Sequence, residues 1–219
     1  MRSPNGRARQ YEAVNPEFWH ERWQKGEIGF HQHEYNAWMQ EFFRRLGVAP
    51  GAHILVPLCG KSLDMLWLAE QGFRVTGVEL SERAVKDFFA EQELAHEIVD
   101  EGGNRIYRGE NIEIRCADFF SLGRSEISNV DAVYDRASLI ALPPEMRPAY
   151  ADHLAGLIDS GTRILLITLE YPQEQMRGPP FSVTQGEVEE LFERYCRIER
   201  IFSEDCLARE PRFRKKGLT

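Results

Sequence analysis

Two residues 19 positions apart, Gly60 and Glu79, have types and spacing that could bind a nucleotide. Gly60 follows the apolar run 54–58, which is typical of a central parallel strand covered on both faces, and a glycine there lets the chain turn tightly. Glu79 ends the next apolar run. Doubly wound folds place an acid about 20 residues after the turn, where its carboxylate accepts hydrogen bonds from ribose hydroxyls. The spacing therefore predicts an adenosine-bearing cofactor.

The residues around Gly60 argue against two common nucleotide motifs. Gly60, Lys61 and Ser62 resemble the end of a phosphate-binding P-loop, but its first glycine should stand where the chain has Leu55. A dinucleotide fingerprint needs three glycines, and this turn has one. S-adenosylmethionine, an adenosine with a sulfonium amino acid and no phosphate, fits better. An ordinary strand-helix-strand unit without a ligand is the alternative that the motif shape leaves open.

Composition favours one domain with a small-molecule partner. The chain has 219 residues, 42% of them hydrophobic, which is enough to bury a full core. We expect a single domain over 15–219 and a flexible leader over the polar, aperiodic residues 1–14. The net charge of -8 opposes binding to nucleic acid or to an anionic membrane. A solvated charged end is expected from the basic tail residues Arg209, Arg212, Arg214, Lys215 and Lys216.

The cysteines and histidines indicate neither disulfides nor a metal site. The four cysteines form no CxxC pair and the sequence has no secretory signal, which is typical of a cytoplasmic protein with reduced thiols. His20, His31 and His33 lack the spacing of a metal site, and no HExxH motif is present. Since the sequence has no heptad repeat, we expect no coiled-coil dimer and predict a monomer.

The order of the predicted elements indicates an α/β fold with a doubly wound, mostly parallel sheet. Two helices come first, within about 15–50; Asn15 and Pro16 begin one that Gly26 ends. Apolar runs predict strands at 53–58, 73–80, 111–117, 130–134, 164–169 and 197–202. Further helices are predicted at 63–71, after Ser81, at 144–158 and after Thr184.

The ends of these strands are where the sheet should bind a ligand, because open α/β sheets bind ligands outside the carboxyl ends of their strands. Those ends are Leu58–Lys61, Glu79, Asp118 with Phe119, Asp135 with Arg136, and Glu170 with Tyr171. An apolar mouth is expected from Phe30, Trp38 and Phe181.

Seven motifs carry a resemblance to a known family. They are FWHERW at 18–23, IGFH at 28–31, LVPLCGKSLDM at 55–65, GVELSE at 77–82, YDRASLIALP at 134–143, LITLEY at 166–171 and GPPFSV at 178–183. With them the chain, over about 15–208, resembles the thiopurine S-methyltransferase family, particularly its bacterial members, within the class I S-adenosylmethionine-dependent methyltransferases. The resemblance implies a Rossmann-like sheet whose cofactor site is covered by N-terminal helices.

The resemblance also implies the roles of individual residues. The implied cofactor contacts are Trp23, Leu58, Glu79 and Arg136, with Asp118 and Phe119 bordering the adenine and Trp19 helping Trp23 to close the methionine end. Phe30 matches a substrate-facing aromatic residue, and Arg136 would orient substrate or cofactor near the transferred methyl group. The alternative is structural: the three aromatic residues pack a helix face, and Arg136 pairs with Asp135 or caps a helix.

The implied reaction transfers a methyl group from S-adenosylmethionine to the sulfur of an aromatic or heterocyclic thiol and releases S-adenosylhomocysteine. Heteroaromatic thiols ionise near neutral pH, so we name no catalytic acid or base and expect alignment to contribute most of the acceleration. Selenium or tellurium species and other small soft nucleophiles are alternative acceptors. A noncatalytic domain that binds S-adenosylmethionine is the alternative of another class, but the presence of Glu79, Trp23 and Arg136 favours catalysis.

The C-terminus differs from the resembling chains, which are expected to continue past Thr219 into a final hydrophobic strand of an antiparallel hairpin. Either the chain is truncated or a sheet edge is left exposed. We expect such a protein to bind the cofactor, because the ligand-bearing strand ends lie upstream, but to melt at a lower temperature than a C-terminally extended chain.

Overall fold

The computed structural model describes residues 15–219, so the predicted leader over 1–14 lies outside the described residues. Its helices are α1 (Pro16–Lys25), α2 (Ala37–Phe42), α3 (Asp64–Glu70), α4 (Glu82–Glu91), α5 (Arg147–Leu157), α6 (Gln185–Phe192) and α7 (Pro211–Lys215). Its strands are β1 (His53–Val56), β2 (Arg74–Glu79), β3 (Glu97–Glu101), β4 (Asn104–Arg108), β5 (Ile112–Cys116), β6 (Ala132–Asp135) and β7 (Arg163–Leu166). None of these helices is long and apolar enough to cross a bilayer.

One sheet contains all these strands, in the order β3-β4-β5-β2-β1-β6-β7. The five strands from β5 to β7 in this order pair in parallel, whereas β3 and β4 form an antiparallel hairpin that joins the sheet through β5. The order reverses on either side of β1, because the chain places β2 and β5 on one side and β6 and β7 on the other. The predicted doubly wound, mostly parallel sheet is confirmed, and the carboxyl ends beside β1 are where a ligand should lie.

Predicted helix caps fix the helices against this sheet. Asn15 Oδ1 accepts a hydrogen bond from Phe18 N at 2.9 Å, and Gly26 ends α1 with φ +67°. Ser81 and Thr184 cap α4 and α6 through their side-chain oxygens. These caps satisfy backbone N–H groups that the helix itself leaves unpaired, so they set where each helix begins.

The core has a hydrophobic layer on each face of the sheet. One layer buries the α4 residues that the sequence predicted to face inward, Ala84, Val85, Phe88 and Phe89. The other layer includes Leu55, Val78, Val133, Tyr150 and Leu154. Burial on both faces explains why β1 is apolar from Ile54 to Val56.

Two strand predictions differ from the structure. Residues 197–202, predicted as a sixth strand, form no strand; Ile198 and Ile201 pack against the core while Phe202 is 45% exposed. Contacts of Ile198 and Ile201 with the core, and not a ladder of hydrogen bonds to β7, therefore hold this segment. The prediction also missed the β3–β4 hairpin, which turns at Gly102 and Gly103, both with positive φ. A Gly-Gly pair is a hairpin signal, but β3, the strand before it, is rich in charge and mostly exposed.

The basic tail is ordered in the structure rather than a simple solvated end. Pro211–Lys215 forms α7, and its Phe213 is buried with Leu218 and Met176 in a small hydrophobic cluster. The charged side chains Arg214 and Lys215 are exposed. The apolar residues between the charges therefore anchor the segment.

Candidate functional site

The loop after β1 has a backbone conformation that only a few residue types adopt easily. Leu58 has φ +44° and Gly60 has φ +54°, and the N–H of Cys59 donates to the carbonyl of Val78 at 2.9 Å. A Cβ atom on Gly60 would lie 3.2 Å from the Trp23 ring. Gly60 is therefore needed both for the turn and for the close approach of α1. Strain at Leu58 is of the kind that concentrates at ligand sites.

Glu79 lies at the carboxyl end of β2 with its carboxylate tied to this loop. One oxygen accepts a hydrogen bond from Gly60 N at 2.9 Å and the other accepts one from Ser81 N at 2.7 Å. Burial raises the pKa of Glu79 to about 7, although the hydrogen bonds from Ser81 and Gly60 favour the charged form. A buried carboxylate with free lone pairs at a strand end is suited to accept hydrogen bonds from two ribose hydroxyls.

Arg136 follows β6 and is held by two residues of the loop before α3 and its first turn. Its Nε and Nη2 donate to Asp64 Oδ2 at 3.3 and 3.1 Å, and Nη2 also donates to Ser62 Oγ at 3.1 Å. Nη1 takes part in none of these bonds. The guanidinium is thus fixed at the edge of the sheet.

Asp135, beside Arg136 in the sequence, has a different role. Its carboxylate accepts hydrogen bonds from the Tyr150 hydroxyl at 2.6 Å and from Ser138 N at 3.0 Å. Burial raises the pKa of Asp135. Asp135 therefore fastens α5 and the loop after β6, and the ion pair of Arg136 is with Asp64 instead.

The N-terminal segment places three aromatic rings over the loop after β1. Phe30 contacts both Trp19 and Trp23 edge to face, with ring centroids 5.8 and 5.6 Å apart. Their exposure increases outward: Trp23 is 4% exposed, Trp19 is partly buried and Phe30 is 37% exposed. We call these three rings the aromatic cover.

The segment after β5 places the two predicted adenine neighbours differently. Asp118 is exposed and its Oδ1 accepts a hydrogen bond from Phe120 N at 3.0 Å, which caps the short helical turn Phe119–Ser121. The Phe119 ring is buried against Tyr150 and His153, with centroids 5.5 and 5.1 Å apart. Phe120 is partly exposed, so it offers more ring surface to a ligand than Phe119 does.

These residues line one end of a cleft of about 2290 Å³, which runs from the carboxyl ends of the strands along β7 to residues 158–162 before it. The cleft brings together all the predicted site residues, which are Trp19, Trp23, Phe30, Leu58, Glu79, Asp118, Phe119 and Arg136. A small cavity of about 60 Å³ adjoins it between the aromatic cover, the loop after β1 and Arg136.

Glu170 and Tyr171, predicted at the end of the last strand, also line the cleft, whereas one residue of the predicted mouth does not. Trp38 lines the cleft with Phe30, but Phe181 is 2% exposed and belongs to the core. Glu170 and Tyr171 lie beyond the end of β7 at Leu166, and the Tyr171 hydroxyl donates to the carbonyl of Pro180 at 2.6 Å. Tyr171 thus fastens the GPPFSV segment, of which Pro179 and Pro180 line the cleft.

Sequence reasoning missed Asp64 and Ser62 as partners of Arg136. Asp64 is 1% exposed although it carries a charge. An acid flanked by Leu63 and Met65 is a weak sequence signal, since acids are common in the first turn of a helix. His31 also lies at the small cavity; burial and then the charge of Lys61 lower its pKa. Residues 15–219 contain no cluster of three or more metal-binding side chains.

Comparison with protein families and curated proteins places this geometry in a known group. Residues 14–219 match the family described as Thiopurine S-methyltransferase (TPMT). A thiopurine S-methyltransferase of Pseudomonas fluorescens (strain Pf0-1) is 47% identical over 206 residues, which are 94% of this chain and 94% of the relative. One from Nitrosospira multiformis is 48% identical over 207 residues, with the same coverage of both chains.

Solved structures share the fold at low sequence identity. The 1,6-didemethyltoxoflavin-N1-methyltransferase of Burkholderia thailandensis, solved with 1,6-didemethyltoxoflavin and S-adenosylhomocysteine, has a TM-score of 0.62 at 18% identity, covering 89% of this chain and 81% of that one. Magnesium protoporphyrin IX methyltransferase of Synechocystis PCC 6803, solved with S-adenosylmethionine, has a TM-score of 0.57 at 18% identity, covering 84% and 87%. These likenesses confirm the Rossmann-like fold, and the match to the family extends over almost all of the chain. The chain therefore belongs to the thiopurine S-methyltransferase family and is a methyltransferase.

Proposed function

We propose that this protein transfers the methyl group of S-adenosylmethionine to the sulfur of small aromatic or heterocyclic thiols. The observation that carries the proposal is the buried Glu79 carboxylate, which accepts hydrogen bonds from Gly60 and Ser81 at the carboxyl end of β2, inside a family whose curated relatives are named thiopurine S-methyltransferase. This is the place where a doubly wound fold binds a ribose.

The residues around Glu79 fit an adenosine without phosphates. The loop after β1 offers one tight glycine turn and no phosphate cradle, while Glu79 supplies acceptors for two hydroxyl groups. Asp118 and the phenylalanines after it border the same cleft, where an adenine would lie. Trp23 and Trp19 would close the methionine end, next to Arg136, whose guanidinium can pair with a carboxylate.

The acceptor would lie against the aromatic cover. Phe30 is its outermost ring and lines both the cleft and the small cavity next to Arg136. An exposed ring held edge to face by two tryptophans can stack on a planar heterocycle. The proposed substrate class is therefore a flat, polarisable thiol.

The reaction requires the protein to align the thiolate with the methyl group and requires no proton transfer by a side chain. S-adenosylmethionine, when bound, supplies an electrophilic methyl group on a sulfonium; a thiolate that has lost its proton to solvent takes that methyl as the sulfonium-carbon bond breaks. The chain's contribution is to hold both partners and to exclude water, through Arg136 and the aromatic cover. We assign no residue as general acid or base.

An acceptor panel tests this function. Purified protein with S-adenosylmethionine is offered a thiopurine, a thiophenol, an aliphatic thiol, selenite and the phenol matching the thiophenol, and methylated product is measured together with S-adenosylhomocysteine. The proposal expects turnover of the two aromatic thiols well above the phenol. Turnover of selenite alone would support the selenium or tellurium alternative, and no turnover of any acceptor would contradict catalysis on soft nucleophiles.

Two further expectations accompany the proposal. All four cysteines are free in the structure, which suits the expected cytoplasmic location. A monomer is proposed as the working form, and light scattering of the purified protein measures it directly.

A further inference from the structure

Asp64 is a buried carboxylate that accepts hydrogen bonds from the residue before α2 and from two residues at the end of β6. Its Oδ1 accepts from Asn36 N at 2.8 Å, and its Oδ2 accepts from the Tyr134 hydroxyl at 2.9 Å and from Arg136 Nη2 at 3.1 Å. The side chain of Asp64 is 1% exposed and that of Arg136 is 16% exposed. Asp64 thus lies between the start of α2, the end of β6 and the cleft.

This arrangement does more than satisfy a buried charge. A buried ion pair contributes little net stability, because desolvation offsets the attraction between the charges, but it fixes geometry where each partner has one arrangement. Two bonds from Nε and Nη2 to one carboxylate oxygen, with a third from Nη2 to Ser62 Oγ, restrain the guanidinium in place. Without Asp64, the long Arg136 side chain would sample several rotamers at the edge of the cleft.

Asp64 also connects Arg136 to the start of α2. Asn36, whose N–H donates to Asp64, caps α2 by accepting a hydrogen bond from Met39 N at 3.0 Å. The start of α2 and the guanidinium therefore share one carboxylate. A shift of α2 is coupled to the position of Arg136 through this carboxylate.

We propose that Asp64 is a positioning residue that aims Arg136 at the cleft and links it to the start of α2. This inference rests on the proposed function, in which Arg136 contacts the cofactor or the acceptor. Asp64 touches neither ligand itself, and its effect on the reaction passes through Arg136. Its removal therefore costs activity only while Arg136 is present.

A double-mutant cycle tests this dependence. The variants are Asp64→Asn, Arg136→Ala and the pair together, with kcat, KM for a thiol acceptor and Kd for S-adenosylhomocysteine measured for each. We expect Asp64→Asn to lower kcat/KM by roughly 10-fold or more, and the double variant to equal Arg136→Ala within about 2-fold. Losses that multiply in the double variant would overturn the proposal, because a merely structural Asp64 acts independently of Arg136.

Two further variants keep the test decisive. Tyr134→Phe removes another donor to the same carboxylate and leaves the ion pair, so it should lower the melting temperature while kcat/KM stays within about 3-fold of wild type. Asp64→Glu keeps the charge and should recover part of the loss of Asp64→Asn; it also replaces Asp64→Asn in the cycle if that variant fails to fold. Failure of the proposed function can be told apart from failure of this inference, because wild type would then methylate no acceptor. In that case the cycle is evaluated from the Kd values for S-adenosylhomocysteine.

Discussion

The two sides of the cleft are ordered by different forces. On the strand side, Glu79 and Arg136 are held by hydrogen bonds to backbone N–H groups or to a buried carboxylate. On the other side, the aromatic cover is held by edge-to-face ring contacts and by the packing of Trp23 on Gly60, with the outermost ring more than a third exposed. Hydrogen bonds fix distance and direction, whereas edge-to-face rings tolerate sliding.

The difference indicates how binding and catalysis divide between the two sides. Rigid charged groups suit the invariant cofactor, whose hydroxyls and carboxylate must be matched in direction. A cover that can adjust suits entry and exit of ligands and acceptors of differing shape. Variants on the strand side should therefore alter cofactor binding, and variants in the outer cover should alter the KM for the acceptor.

The largest expected effect is the loss of stability when the inner ring of the aromatic cover, Trp23, is removed. Trp23→Ala removes a buried indole that rests on Gly60 and should lower the free energy of unfolding by about 3 kcal/mol or more. Trp19→Ala, at a partly exposed ring of the same helix, should cost less than about half as much. Urea unfolding of both variants measures this, and equal losses would show that the cover is packed uniformly.

The next effect is a pH dependence at Glu79. Its pKa of about 7 in the folded protein lies above the ordinary value of 4.5. Between pH 4.5 and pH 7 the folded state therefore keeps this proton while the unfolded state loses it. The stability contribution is therefore present below pH 4.5 and lost as pH rises through 7, by at most roughly 3 kcal/mol. Glu79→Gln carries no proton to lose.

Urea unfolding of wild type and Glu79→Gln without ligand, at pH 5 and pH 8, measures this term. Going from pH 5 to pH 8, the free energy of unfolding of wild type should fall relative to that of Glu79→Gln. The variant should bind S-adenosylhomocysteine more weakly than wild type does. A difference that is the same at both pH values would mean that Glu79 is ionised normally in the folded protein.

A smaller effect is expected at the outer edge of the cover. Phe30→Leu should raise the KM for an aromatic thiol by about 3- to 10-fold and leave the Kd for S-adenosylhomocysteine within about 2-fold, because the residue offers a ring face to the acceptor alone. Ile98→Ala, at an exposed residue on β3 away from the cleft, is the matched control and should change neither value. A large change in Kd with Phe30→Leu would place this ring against the cofactor.

The smallest effect concerns Asp118. Asp118→Ala removes the cap of the turn Phe119–Ser121 and should lower stability by about 1 kcal/mol. Asp118→Asn keeps an acceptor oxygen and should recover most of that loss. If both variants weaken cofactor binding more than about 10-fold, Asp118 contacts the ligand through its charge, and its role exceeds that of a cap.

Features that depend on neighbouring residues could be predicted from the sequence. The turn at Gly60, the acid at Glu79 and the caps at Asn15, Ser81 and Thr184 follow from the conformational needs of a few adjacent positions. These rules are local, so a single sequence is enough to apply them.

Features that depend on distant partners could not be predicted in the same way. Arg136 pairs with Asp64, 72 residues away, rather than with its neighbour Asp135. Residues 197–202 include apolar residues suited to a strand but form none, and Phe181 has the type of a mouth residue but lies in the core. Tertiary packing determines the place of each of these residues, and the periodicity of the sequence does not indicate it.

Calorimetric titration with S-adenosylhomocysteine tests the central claim that Glu79 binds the cofactor's ribose. Wild type should bind with a Kd on the order of micromolar, and Glu79→Ala should weaken binding by roughly 100-fold or more, because two charge-assisted hydrogen bonds are lost. Glu82→Ala is the control, since that acid pairs with Arg105 and the Tyr107 hydroxyl instead of facing the loop after β1. Equal binding by wild type and Glu79→Ala would contradict the account.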